Sequence, residues 1–113
     1  MKISKESISG VTILKIAGEF DFHSEIEFNT IISGLTFEEL KKVMLSMAEI
    51  DWIDSSALNS IIDLYWKVKK INGSLLLAGV NPRIAKLLAI TKICTLLETI
   101  PTEEDALKKL QNM

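Results

Sequence analysis

Two short hydrophobic runs at the start of the chain have the spacing of β-strands. They cover residues 2–8 and 11–17, and Ser9-Gly10 between them predicts a hairpin turn. In the second run the residues that alternate along the chain are largely apolar on both faces. We therefore predict a central strand there, which Gly18-Glu19-Phe20-Asp21 should break.

The next segment has helical spacing and is predicted to form a helix to about Ser33. Gly34 is a plausible stop. The residues expected on its buried side are Ile26, Phe28, Ile31 and Ile32. His23, the one histidine of the chain, is expected to be a solvated residue at the start of this helix.

The longest amphipathic segment is predicted to be a helix at about residues 55–71. Asp54 or Ser55 should cap its first turn, and Gly73, after Asn72, suits a left-handed C-terminal cap. Its apolar residues fall on one broad face: Leu58, Ile61, Ile62, Leu64, Tyr65, Val68 and Ile71.

The remaining segments continue the alternation of strand and helix. Strands are predicted at 42–47, 75–80 and 93–100. A charged lead-in at 37–42 precedes the first of them. The helix predicted at 82–90 begins with a proline, and the last helix begins with acidic residues behind a threonine cap. In the helix predicted at 82–90, the residues expected to face inward are Ile84, Leu87, Leu88 and Ile90.

The predicted order is β-β-α-β-α-β-α-β-α, an α/β fold. After the hairpin, strands that alternate with helices imply parallel pairing in a mixed sheet that helices cover. The 113 residues contain no linker, repeat or low-complexity tract, so we expect one domain over residues 1–113.

Composition excludes several classes of function. The net charge of −2 argues against a protein that binds nucleic acid through phosphate contacts. No run has the length of a signal-peptide core or a membrane span, which predicts a cytoplasmic protein without membrane insertion. Cys94 is the single cysteine and therefore allows neither an internal disulfide nor a cysteine-based zinc cluster.

No set of residues in the sequence makes a catalytic site. Phosphate-binding and dinucleotide-binding glycine loops are absent, and the serines lack the spacing of a hydrolase nucleophile. Asp21, Asp51 and Asp54 could meet at one end of the sheet, where capping is their ordinary role. We therefore expect no enzyme activity, no metal and no cofactor.

The helical wheel distinguishes the two serines at the start of the long helix. Ser56 projects roughly 150° from the centre of the predicted apolar arc, and Ser55 about 110°. Ser56 is therefore the hydroxyl expected to face a partner. Trp66 lies off the arc, which suggests either a partner surface or packing under a loop.

Several motifs together resemble the STAS domain, and in particular the small stand-alone anti-sigma factor antagonists of bacteria. The matching segments are Gly18–Asp21 (GEFD), Ile53–Leu58 (IDSSAL), Asn72-Gly73, Asn81-Pro82 and Pro101–Leu107 (PTEEDAL). The resemblance implies the STAS fold, a mixed sheet with an N-terminal hairpin and alternating helices. Ala57 stands where the family usually has glycine, Asn59 replaces a small residue, and Ser46 replaces a frequent acid.

The resemblance also implies a function. An antagonist of this kind binds an anti-sigma factor with serine kinase activity, phosphorylation at the position of Ser56 ends binding, and a phosphatase reverses it. The implied state is a monomer or weak dimer. The alternatives are a STAS subunit of a lipid-transport ABC complex and a stressosome-type scaffold subunit.

One contact patch on the long helix is predicted from these considerations. Ser56, Asn59, Asp63 and the edge of Trp66 should share it, because the first three follow one another at i, i+3 and i+7. The turn at residues 18–24 should lie beside the patch. The complete set expected to bind the partner is Asp21, Asp54, Ser55, Ser56, Asn59, Asp63 and Trp66.

Overall fold

In the part of the chain that the structure describes, five strands form one sheet whose order follows the chain, β1-β2-β3-β4-β5. The computed structural model describes residues 1–90 and 96–113. Its strands are β1 (Lys2–Ile8), β2 (Val11–Phe20), β3 (Lys42–Ile53), β4 (Ser74–Ala78) and β5 (Glu98–Ile100). β1 is antiparallel to β2, and the other neighbours are parallel, which confirms the predicted mixed sheet.

The predicted hairpin is present between β1 and β2. Its two turn residues, Ser9 and Gly10, have φ values of 50° and 82°, as a two-residue hairpin turn of the primed type requires. β2 lies between β1 and β3, so the prediction of a central strand is confirmed.

Among the residues that the structure describes, five α-helices connect the strands or follow the last of them. They are α1 (Glu25–Ser33), α2 (Phe37–Leu40), α3 (Ser55–Lys70), α4 (Pro82–Ile90) and α5 (Glu103–Gln111), and a 3-10 turn at Phe22–Ser24 precedes α1. Thr102 caps α5 by accepting a hydrogen bond from the Asp105 N–H, with acids in the first turn as predicted. The predicted order of elements is confirmed, with α2 as the lead-in to β3.

The charged lead-in is held by a capping box. The Thr36 hydroxyl accepts a hydrogen bond from Glu39 N, while the Glu39 carboxylate accepts one from Thr36 N. The Lys5 ammonium lies 2.7 Å from the same carboxylate, and these donors hold the pKa of Glu39 below its ordinary value. The short α2 is thereby tied to the edge strand β1.

Helices cover both faces of the sheet. Right-handed crossovers between neighbouring parallel strands, taken in chain order, place α1, α3 and α4 on one face. Their buried side chains share one core with alternate residues of the strands, among them Leu14 and Leu45. The residues between them, such as Ile13 and Met44, form a second core with Ala106 and Leu110 of α5. Two covered faces explain why the strands are apolar on both sides.

Two strands are longer than the sequence predicts. β2 does not break at Gly18 but continues to Phe20, and β3 continues past Met47 to Ile53. The pairing survives because register shifts between Lys15 and Ala17 and between Gly18 and Glu19 absorb the irregularity. Gly18 has φ of 89°, a value that favours glycine.

Two predicted core residues are on the surface instead. Ile26 of α1 is 79% exposed and Ile90 of α4 is 70% exposed. Each projects about 140° from the centre of its helix's buried side, as the 100° step per residue requires. The predictions for these two residues are wrong, while the other residues predicted to face inward are buried or half-buried.

The end of the chain agrees in part with the prediction. Of the strand predicted at 93–100, the described portion forms a strand only at Glu98–Ile100, and residues 93–95 lie outside the described residues. Cys94, the single cysteine, lies outside the described residues as well.

A close contact at Gly73 fixes the end of α3. The left-handed residue is Asn72, with φ of 59°, and not Gly73 as predicted. Hydrogen bonds from Gly73 N to Val68 O and from Asn72 N to Lys69 O complete a Schellman motif. Gly73 is needed for space, because a Cβ there would lie 2.8 Å from Leu40 O and 2.9 Å from a Val68 methyl.

We therefore expect Gly73→Ala to lower the free energy of unfolding by about 1–3 kcal/mol, the usual cost of forcing atoms into a packed site. Gly34→Ala is the matched control, because a Cβ there would meet nothing closer than Ile31 O at 3.5 Å. Urea unfolding of both variants measures the difference. Equal stability of the two would show that α3 can shift away from Leu40 without cost.

Candidate interaction site at the start of the third helix

The Asp54 carboxylate joins the end of β2 to the start of α3. One oxygen accepts a hydrogen bond from Ala57 N at 3.0 Å and so caps the helix, as predicted. The other accepts one from Phe22 N at 3.0 Å. The Asp54 backbone N–H in turn donates to Phe20 O at 3.2 Å. The first turn of α3 is therefore fixed to the turn after β2.

Asp21 has a similar structural role one residue before Phe22. Its Oδ1 accepts hydrogen bonds from His23 N at 3.0 Å and Ser24 N at 3.2 Å, so it caps the 3-10 turn. The Ser24 hydroxyl, which is buried, lies 3.2 Å from the same oxygen. Asp21 and Asp54 thus meet at one end of the sheet, where both act as caps. Asp51 lines a separate cleft with Arg83.

The two serines of α3 are exposed in the opposite order to the prediction. Ser55 is exposed and Ser56 is half-buried. The wheel omitted Ala57 and Ser60, both of which are buried and shift the centre of the buried arc. Relative to the observed centre, Ser55 projects about 145° and Ser56 about 115°. The prediction that Ser56 faces outward and Ser55 lies nearer the core is therefore wrong.

An exposed stripe runs along α3 from Ser55. Ser55, Asn59, Ile62 and Trp66 follow at i, i+4, i+7 and i+11, which places them on one side of the helix. We call these four residues the outer stripe. Ile62, predicted to be part of the apolar arc, is only half-buried. Asp63 is exposed beside the stripe.

Trp66 forms the far end of the outer stripe. Its side chain is 55% exposed, and its ring packs edge-on against Tyr65 with centroids 5.1 Å apart. At 1.5 Å per residue it lies roughly 16 Å along the helix from Ser55. The predicted set of binding residues is therefore extended, with Asp21 and Asp54 at the start of α3 and Asp63 and Trp66 farther along the helix.

Phe22 was not singled out from the sequence, although it stands beside Asp54. Its ring is 66% exposed and packs edge-on against the exposed His23, with centroids 5.7 Å apart. A large apolar residue directly after the aspartate that follows β2 is the signal in the sequence. Phe22 adds an aromatic surface to the exposed end of α3, and His23 is solvated as predicted.

Two other kinds of feature, a metal-binding group and a membrane-spanning helix, are absent from the described residues. No group of three or more His, Cys, Asp or Glu side chains among residues 1–90 and 96–113 is placed to hold a metal ion. Within the same ranges no helix combines the length and apolarity that crossing a membrane requires. What the site presents is hydroxyl, amide and aromatic groups on a rigid frame.

Known proteins resemble this chain in sequence along most of its length. A family model of the STAS domain matches residues 2–106. An anti-sigma F factor antagonist of Paenibacillus polymyxa is 25% identical over 112 residues, which are 98% of this chain and 96% of that protein.

Solved structures share the fold. The anti-sigma factor antagonist SpoIIAA in its unphosphorylated form superposes with a TM-score of 0.79 at 16% identity, covering 99% of this chain and 100% of that one. The phosphorylated form of SpoIIAA, a Bacillus cell fate determinant, gives 0.76 at 17% identity over 96% and 98%. An antagonist of Mycobacterium paratuberculosis gives 0.80 at 18% identity over 97% and 93%.

We expect Asp54→Ala to destabilise the protein by about 1–2 kcal/mol, because it leaves the N–H groups of Phe22 and Ala57 without their carboxylate. Asp63→Ala is the control, since the Asp63 carboxylate forms no hydrogen bond or ion pair with another residue of the described ranges. Thermal and urea unfolding of the two variants give the comparison. Equal stability would mean that the Asp54 bridge contributes nothing to the fold.

Proposed function

This chain belongs to the STAS domain family, and we propose that it is an anti-sigma factor antagonist. In this proposal residues 1–113 form one STAS domain that binds an anti-sigma factor when unphosphorylated and releases it when a serine of α3 is phosphorylated. The observation that carries the proposal is the exposed Ser55 hydroxyl beside the fixed Asp54 cap. Similarity along the whole length to the Paenibacillus antagonist supports it.

The partner contacts the exposed side of α3. Asn59, Asp63 and Trp66 are exposed there, and Ser56 is half-buried at their border. An uncharged stripe with an aromatic end can bind a protein surface without first losing strongly hydrated charges. Asp21 and Asp54 hold the backbone next to this surface in place, because their carboxylates accept hydrogen bonds from backbone N–H groups.

Phosphorylation would change binding without changing the fold. A phosphate adds about −1.5 to −2 charge. The first turn of a helix favours negative charge, so α3 should remain intact. A partner matched to a neutral hydroxyl would instead face a desolvation and repulsion cost of several kcal/mol. The modification therefore acts as a binding switch.

Ser55 and Ser56 are supported as the acceptor by different arguments. The family resemblance points to Ser56, whereas exposure favours Ser55, because a kinase must bring the hydroxyl in line with the transferred phosphate. We propose Ser55 as the acceptor on this geometric ground.

The remaining parts of the proposal concern the partner proteins, the cellular location and the oligomeric state. The partner is an anti-sigma factor that is also a serine kinase, and a phosphatase resets the switch. The protein works in the cytoplasm as a monomer or weak dimer, and by binding and not by catalysis.

We expect phosphate on Ser55 after incubation with ATP and the ATP-binding anti-sigma factor of the same genome. Ser55→Ala should abolish incorporation, while Ser56→Ala should retain most of it. Mass spectrometry of the modified peptide provides the measurement. Phosphate located on Ser56 would instead support the assignment from the family resemblance, and none on either serine would refute the switch.

We expect Asn59→Arg and Asp63→Arg to weaken anti-sigma factor binding at least about tenfold, because each places a long cation in the contact surface. Lys108→Glu in α5, on the opposite face of the sheet, is the control and should bind normally. Calorimetric titration and circular dichroism measure affinity and fold. Normal binding by the double Arg variant would place the interface elsewhere and favour a different class of partner.

A further inference from the structure

An apolar groove lies between the end of β3 and α4, outside the surface described above. Its walls include Trp52 and Ile53 from β3 and Leu87 and Ile90 from α4. Its volume is about 260 Å³. Typical small-molecule sites begin at roughly 300 Å³ and enclose their ligand. This groove therefore suits one or two side chains of a protein partner better than a separate small ligand.

Two large apolar side chains on the rim of the groove are exposed. Trp52 is 45% exposed and Ile90 is 70% exposed, although residues of these types are usually buried when nothing else constrains them. Tryptophan is one of the residue types that are enriched among the energetically dominant residues of protein interfaces.

The groove also carries two positive charges. Arg83 and Lys86 lie on the first two turns of α4 and line the groove. Within residues 1–90 and 96–113 neither forms an ion pair with a carboxylate. Among the described residues that line the groove, none is acidic. The groove is therefore complementary to a segment that combines apolar and acidic side chains.

The groove lies close to the start of α3. Ile53 in its wall is two residues before Ser55, so their Cα atoms lie within roughly 7 Å of each other. A partner that covers Ser55 can reach the groove without leaving the surface. A phosphate on Ser55 would then stand next to the position of an acidic segment and repel it.

We propose that this groove binds an acidic amphipathic segment of the anti-sigma factor, with an apolar side chain between Trp52 and Ile90 and carboxylates near Arg83 and Lys86. This inference rests on the proposed function and adds to it a second, separable anchor. It also states the chemistry of the partner segment, which the outer stripe does not specify.

Calorimetric titration of the same anti-sigma factor into the native protein and four variants tests the inference. Trp52→Ala should weaken binding at least about tenfold, with Trp52→Phe recovering part of the loss. Arg83→Glu/Lys86→Glu should also weaken binding at least about tenfold. Raising the salt concentration should lower the affinity of the native protein more than that of this charge-reversal variant.

Lys70→Glu is the matched control, because it reverses an exposed cation at the far end of α3 and should bind normally. If the native protein binds while the groove variants bind equally well, the groove proposal is overturned and the proposed function stands. If the native protein does not bind, both are overturned. Circular dichroism confirms that each variant is folded.

Discussion

The arrangement of the candidate site depends on one carboxylate. Asp54 accepts hydrogen bonds from the N–H groups of Phe22 and Ala57, and so connects the turn after β2 with the first turn of α3. A helix start that is held from two directions loses little further conformational freedom when a partner binds. The exposed Ser55 is therefore presented by a rigid frame, although it stands at a junction between elements.

The sheet supplies the other constraint. Because helices cover both of its faces, the strands must be apolar on both sides, and this makes them easy to detect in the sequence. Because helices cover both faces of the sheet, the residues that remain accessible to a partner lie at the ends of the strands and on the outer sides of the helices. Phe22, Ser55 and Trp52 all lie where β2 or β3 ends.

Much of the fold could be predicted because hydrophobic periodicity and caps are local signals. The hairpin turn at Ser9 and Gly10 and the Asp54 cap are examples. The long ends of β2 and β3 could not be predicted, because the bulges that keep them paired depend on the neighbouring strand. The exposure of Ser55 and Ser56 was misjudged for a different reason. The helical pattern rests on large apolar residues and leaves out alanine and serine. Ala57 and Ser60 are nevertheless buried and help to define the buried side of α3.

A sheet ordered as β1-β2-β3-β4-β5 has a consequence for how the chain is made. During synthesis each new strand can pair with the one completed just before it, so no strand must wait for a distant partner. Each pairing therefore closes a shorter loop than a crossed strand order would require. Asp54 and Ser55 emerge before α4 does, so a nascent chain can form the helix start earlier than the wall that carries Arg83 and Lys86. The groove is thus a late feature of assembly, completed only when α4 has been added.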